Sequence, residues 1–564
     1  MALDRDRAVA ITGTVWKEVN IMVSQHSRNR ALIQTVDEWV AADLTRRDFV
    51  RRMSALGGGA VFGGALANHL LSRDAAASPR GVALFQDDPP AAPGGTVVAA
   101  TIDKPVNMDP AFAELYSSMQ VYQNIFNKLV YVDADYNYIP GLASSWNQVD
   151  EVTWDFTLVE NAVFHNDEPF TANDVAFTIE RIFDPALAAP NAVFLQAIDR
   201  VETDGDYNVR FILKRPWGSF LADLAAVLEV VNETAVTTLD PRLEPIGTGP
   251  FRMTEWVKDD HITLERWDKY HVAERPFLDS VIFRAIADDT VRLTGLQTDE
   301  MQWVMQVPLQ QVEALKGDAE IKVTVGRPYL PDFLYLNCSK PPFDDKRVRQ
   351  ALAWALNRDE VTQVAFFGQA ETATEAIYDG NPYYSGINLY EGGPDPEGAM
   401  ALLAEAGVEG LSFVFDGQPQ VPTQVKAAQV LQQQLRAAGI TMDIQNYESG
   451  EWITRLLTKE YTATISYWSA TLDPAHFYLP GLLSTSGWNI SGFGSPEMDE
   501  ALNAFATEPD EATRKEAYRR VVEIVQEEAP IIAIDNQLQQ YWVRANVYGM
   551  TPLPTMEIRF EPVY

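Results

Sequence analysis

The stretch LSFVFDGQPQVPTQVKAAQVLQQQLRAAGITMDIQ, residues 411–445, decides the architecture. LSFVFD (411–416) is a short apolar run and reads as a strand. Residues 423–438 carry apolar side chains at helical spacing and stop at Gly439. ITMDIQ (440–445) alternates apolar and polar residues. A strand, a helix and a strand in that order predict a parallel pair joined by a right-handed crossover, so this region is α/β.

The pattern continues outward. PEGAMALLAEAG (396–407) predicts a helix ended by Gly407, and Asp345–Leu356 another, with Val348, Leu352 and Ala355 on one face. SGEWITRLL and ATISYW (463–468) extend the alternation. Residues 510–528 form a long helix and PIIAID (530–535) a buried strand. In the N-terminal half, TVVAAT (96–101), VTWDFTL (152–158), NVRFIL (208–213) and HITLERW (261–267) read as strands. Residues 117–130 show helical spacing, and Thr171 caps a helix over 171–183. Two α/β regions predict two lobes with a ligand cleft between them.

The chain of 564 residues is 46% hydrophobic and 11% aromatic, enough for large packed cores. Its 79 acids against 44 Lys and Arg give a net charge of −35. That excludes a nucleic-acid binder, which needs a basic face, and docking on anionic lipid. The acid excess reads as a solvated surface. The one cysteine, Cys338, allows no internal disulfide, lies far from any lipid-anchor position and reads as a small buried side chain.

Ahead of the fold, Arg46, Arg47, Arg51 and Arg52 precede a glycine-diluted apolar run between Met53 and Leu71, with an A-x-A site at Ala75–Ala77. Thr45-Arg46-Arg47-Asp48-Phe49-Val50 resembles the twin-arginine (Tat) export signal, in which Arg46, Arg47 and Phe49 would be read by the export machinery. Residues 1–77 are expected to be an N-terminal extension and signal peptide, with Met1 or Met22 as the start. Residues 78–95 are expected to be a linker, and the exported fold to begin near Thr96. The protein is then expected in the periplasm or another extracytoplasmic space.

Catalytic patterns do not appear. There is no GxxxxGK[ST], HExxH or G-x-S-x-G. His165, His261, His271 and His476 show no metal-ligand spacing. No cofactor or metal is expected, and a binding protein is favoured over an enzyme. A secreted hydrolase using a carboxylate pair is the rival reading.

Several segments together resemble one family, the extracytoplasmic solute-binding proteins of ABC importers in the peptide/nickel group (family 5). They are Gly141-Leu142-Ala143 with Ser145-Trp146; Phe164-His165 with Pro169-Phe170-Thr171-Ala172-Asn173-Asp174-Val175; Gly247-Thr248-Gly249-Pro250-Phe251; Asn337 with Pro341 to Leu352; and the closing helix Arg514 to Pro530. The resemblance spans about residues 95–560 and implies a type II periplasmic-binding fold. Lobe I would comprise 96–130, 245–332 and 530–564, with a subdomain over 131–244 inserted in it, and lobe II would be 333–529. Phe343, Val348 and Leu352 would be packing residues. The implied function is capture of a peptide or similar small polar solute and delivery to a membrane permease with separate ATPase subunits. The protein is expected to act as a monomer.

The window Ser466-Tyr467-Trp468-Ser469-Ala470-Thr471-Leu472-Asp473-Pro474 follows a strand and would face the cleft. In peptide-binding relatives an acid stands three residues after the tryptophan, where Thr471 stands here. In nickel-binding relatives a tyrosine stands at the position of Leu472. Trp468 reads as a stacking wall, with Tyr467, Thr471 and Asp473 beside it. Asp473 also reads as a turn or cap residue. Tyr116, Tyr335, Trp488 and Asn489 complete the candidate site. A neutral or carbohydrate-like solute, stacked on Trp468 and bonded by Thr471 and Asn489, is the alternative ligand.

Overall fold

The computed structural model describes residues 91–564, apart from 113–115, 469–471 and 556, and apart from the side chains of 327–329. Arg46, Arg47, Phe49 and the linker before residue 91 lie outside the described residues, as does Thr471.

The strand–helix–strand unit is present. Ser412–Gly417 and Thr441–Asn446 pair in parallel, joined by the helix Pro422–Ala437. Pro422 opens that helix, where a missing N–H is harmless, and Gly439 (φ +71°) turns the chain after it. The helix buries Ala427, Ala428, Leu431 and Leu435 against Phe413, Phe415 and Met442. Each large side chain so buried contributes roughly 1.5–3 kcal/mol. Ala463–Tyr467 pairs in parallel with Ser412–Gly417. Phe343, Val348 and Leu352 lie in the same core.

These strands form one half of an eleven-stranded sheet. Its other half centres on Thr96–Thr101, which pairs in parallel with Ser280–Ala285 and Trp303–Met305. His261–Arg266 and Phe251–Val257 extend it antiparallel. Two long antiparallel strands, Ile321–Leu336 and Ile531–Arg544, cross from one half to the other, from Ile321 opposite Arg544 to Tyr335 opposite Ile531.

The crossing strands are where sequence patterns fail. Gly326, Pro328 and Pro331 read as breakers, yet they lie inside a 16-residue strand. Proline lacks an N–H and is tolerated at irregularities. The register shifts fall there, between Val325 and Pro328, Pro328 and Leu330, and Asp332 and Phe333. The second strand also runs past the expected 535 to Arg544, through the polar run Asn536–Gln540.

A separate antiparallel sheet of Ala143–Asp150, Thr153–Leu158, Asn208–Leu213 and Ile198–Thr203 lies within the segment read as inserted. It packs Phe156, Phe211 and Phe220 with Phe164 and Phe170. The helix Ala172–Ile182 begins as expected at Thr171, whose N–H (2.8 Å) and hydroxyl (3.1 Å) donate to the Asp174 carboxylate.

The helix expected over 117–130 is shorter, Tyr116–Tyr122. Asn124 diverts the chain: its Nδ2 donates to Ile558 O (3.0 Å) and its Oδ1 accepts from Phe560 N (2.9 Å). Gly247 and Gly249 press on this turn, where an added Cβ would stand 2.1 and 2.5 Å from Ile125 O.

Candidate functional site

The strand Ala463–Tyr467 ends beside the first crossing strand, with Asp332 opposite Tyr467. Trp468 N–H donates to Pro331 O at 3.3 Å, which fixes the window's start against the crossing strand. Tyr467 is 45% exposed and Trp488 53%. Half-buried Trp468 meets Trp488 edge-on at 6.4 Å and Phe477 at 5.8 Å, and Phe477 stacks on Phe333 at 4.6 Å. Trp468 and Trp488 therefore form an aromatic rim with a supported base, suited to planar or apolar groups, and exposed Tyr467 precedes them in the chain. Burial raises the Tyr467 hydroxyl, and the charges of Asp332 and of Asp103, which follows the first strand of the other half, add to it.

Tyr116 belongs to the other half. Its hydroxyl, raised by burial, is bonded to side chains of Gln120, Tyr541 and Gln539, the last two on the second crossing strand. Leu472 is buried against Val132, Ala222 and Ala225, so the window is pinned at its far end as well.

Three of the expected contact residues have internal partners in this geometry. Asp473 is 2% exposed, and its carboxylate takes both Arg514 Nη1 (2.6 Å) and Nη2 (2.9 Å). Oδ1 also accepts from Ala475 N at 2.9 Å, the turn role. Burial alone would raise this carboxyl, and Arg514 outweighs burial and holds it below its usual range. Asn489 is buried, with Nδ2 on Leu482 O, Leu483 O and Phe493 O and Oδ1 on Ser491 and Gly492, so it shapes its own loop. Tyr335 is core, edge-on to Phe333. All three side chains thus have structural partners, and Asp473 with Arg514 also lines the cleft described below.

Two features escaped the sequence reading. Asp332 and Asp535 stand opposite each other on the crossing strands, both fully buried. Burial lifts Asp332 to about 6, opposed by hydrogen bonds from Gln424 and Gln537. Burial, then the charge of Asp332, push Asp535 well above the usual range. Proline-rich surroundings hid the first aspartate, and a strand expected to end at 535 left the second without context.

The second is a clasp. His476 Nε2 meets Asp223 Oδ1 at 2.6 Å, joining the second half of the sheet to the segment 131–244. Burial disfavours the imidazolium, but the bond and charge of Asp223 outweigh it and raise His476 above its ordinary value. Beside the clasp is a cleft of about 590 Å³, lined by Tyr136, Tyr138, Trp154, Trp217, Tyr383 and Arg514 among others.

Among the described residues no group of three or more His, Cys, Asp or Glu could hold a metal, and no helix is long and apolar enough to cross a membrane. Cys338 is partly buried, its thiol raised to about 11 by burial.

Comparison with known proteins agrees with this geometry. The chain is 27% identical over 471 residues to a glutathione-binding protein GsiB of Pectobacterium atrosepticum, covering 81% of this chain and 91% of that one. It is 28% identical over 501 residues to di/tripeptide-binding protein 2 of Pseudomonas aeruginosa, covering 81% and 93%. The solved structure of the periplasmic binding protein DppA from Helicobacter pylori, in complex with the peptide STSA, matches with a TM-score of 0.73 at 26% identity, covering 84% of this chain and 98% of that one. A substrate-binding protein CtaP from Listeria monocytogenes shares the fold, with a TM-score of 0.77 at 22% identity, covering 84% and 99%. These relatives are binding proteins rather than enzymes. The family described as bacterial extracellular solute-binding proteins, family 5 Middle, matches residues 137–490, and the chain belongs to that family.

Proposed function

We propose that the protein is the substrate-binding component of an ABC importer, capturing a peptide or similar small polar solute between two lobes and delivering it to a membrane permease. The lobes are 96–130 with 245–332 and 530–564, carrying the inserted segment 131–244, and 333–529. The observation that carries the reading is the aromatic rim of Trp468 and Trp488, just after Tyr467 at a strand end beside the crossing strands. Tyr116 approaches from the other lobe, and Thr471 belongs to the same window. A solute touching both lobes binds the closed form better and shifts the population toward it. The closed form is what the permease would recognise.

Relatives that bind glutathione and di- or tripeptides make a short peptide the favoured ligand class. Export would use Arg46, Arg47 and Phe49 as a Tat signal, and the protein would work outside the cytoplasm as a monomer. Native mass spectrometry of the exported protein, purified without denaturation, tests the reading. Bound masses spaced by amino-acid residues are expected. A single non-peptide mass would instead favour a carbohydrate-like solute on the aromatic rim. Turnover of peptides or glycosides by the purified chain would contradict the reading as a binding component.

A further inference from the structure

Between the two crossing strands, polar atoms of four side chains meet. Asp332 Oδ1 accepts from Gln424 Nε2 at 2.7 Å and Oδ2 from Gln537 Nε2 at 3.0 Å. Among the described residues, neither oxygen of Asp535, directly opposite, has a hydrogen-bond partner, nor has Gln424 Oε1. Asp535 is wholly buried and Gln424 is 4% exposed. Because its amide is bonded to Asp332, Gln424 Oε1 is held at the same place.

Among the described residues no cationic side chain neutralises the pair. The guanidinium of Arg358 is turned to the backbone, its Nε donating to Ala533 O at 2.8 Å. A buried, unpaired carboxylate is costly, and an unsatisfied buried group calls for a missing partner. These acceptors call for donors from outside the cluster, and a cationic amine supplies several N–H donors together with the charge that lets both carboxyls ionise. The place is also suggestive. Asp332 sits opposite half-exposed Tyr467, at the start of the window that carries Trp468. Asp473, the acid nearest the aromatic rim in sequence, is fully engaged by Arg514.

We propose that Asp332, Asp535 and the carbonyl of Gln424 form an anchor for a cationic amine, the ammonium group of the captured solute. The inference rests on the solute-capture reading. The nest is sealed in this state, so the amine enters when the lobes turn apart about the crossing strands and is enclosed when they close. A free alkali or alkaline-earth ion has the same charge complementarity, and the experiment separates the two sources.

The full exported chain is titrated calorimetrically with trialanine, with N-acetyl-trialanine, and with NaCl, CaCl2 or methylammonium chloride alone. The same is done for Asp535→Asn and Gln424→Leu, each checked for folding by its melting temperature. Wild type should bind trialanine at least tenfold more tightly than the acetylated peptide. Asp535→Asn should lose at least tenfold for trialanine, with little further loss on acetylation, and Gln424→Leu should lose several-fold. Binding of trialanine by Asp535→Asn within twofold of wild type would overturn the anchor. Saturable binding of calcium or sodium alone, abolished in Asp535→Asn, would assign the nest to a free ion and overturn the solute source. If wild type binds neither peptide, the peptide reading fails. The anchor is then judged by methylammonium, which must raise the melting temperature of wild type and not of Asp535→Asn.

Discussion

Asp473 and Asp535 are both buried aspartates, and they do opposite things. Asp473 has a bidentate arginine, a backbone N–H and a place at the start of a helix. Among the described residues neither oxygen of the Asp535 carboxyl has a hydrogen-bond partner. Burial is therefore uninformative about role, and satisfaction is what separates the two. A fully bonded charge belongs to the architecture. An unbonded one persists against its own desolvation cost and is the better candidate for ligand chemistry.

The sharpest way to break this contrast is Asp473→Ala. It would leave Arg514 charged and buried, 2% exposed on its side chain. We expect a loss of about 3–5 kcal/mol in chemical denaturation. A loss below about 1 kcal/mol would mean that Asp473 is not structural.

Asp535→Asn should move stability the other way, by about 1–3 kcal/mol at pH 7.5, because it removes a carboxyl whose charged form burial disfavours. The sign with pH follows from the raised carboxyls. Asp332 and Asp535 hold their protons more tightly in the folded chain than in the unfolded one. Their contribution is present in full below about pH 4; the Asp332 part is lost as pH rises through about 6, and the Asp535 part as pH rises through its own raised value. The advantage of Asp535→Asn should therefore fade at pH 4, as read from melting curves across that range.

Trp468→Ala sharpens the distinction between binding and folding. Solute affinity should fall at least tenfold, about 1.4 kcal/mol or more. The fold should persist, because Phe477 still stacks on Phe333 beneath it. Circular dichroism beside calorimetry reads both, and unchanged affinity would remove Trp468 from the site.

Trp488→Ala should have the smallest effect, a severalfold affinity loss with no measurable change in melting temperature, since its ring is 53% exposed. A large drop in melting temperature would mark it as core.

The sequence was legible where pattern and burial agree. The unit 411–445 reads correctly because apolar spacing, Pro422 and Gly439 all point one way. The aromatic rim was legible because Trp468 follows a readable strand. The crossing strands were not, because Pro328 and Pro331 mimic breakers while the long partner strand carries them through bulges. Asp332 and Asp535 vanished with those strands. Asp473 and Asn489 misled for a different reason: polar side chains in a binding window look like ligand contacts until their partners, Arg514 and a loop of carbonyls, are brought in from elsewhere.

The central claim is that one solute is held by both halves of the sheet. Amide hydrogen exchange of the exported protein, with and without a saturating peptide pool, tests it most directly. The account predicts added protection at once in Ser466–Leu472 and in the loop 102–109 of the opposite half. Protection confined to one half, or none at either, would contradict it.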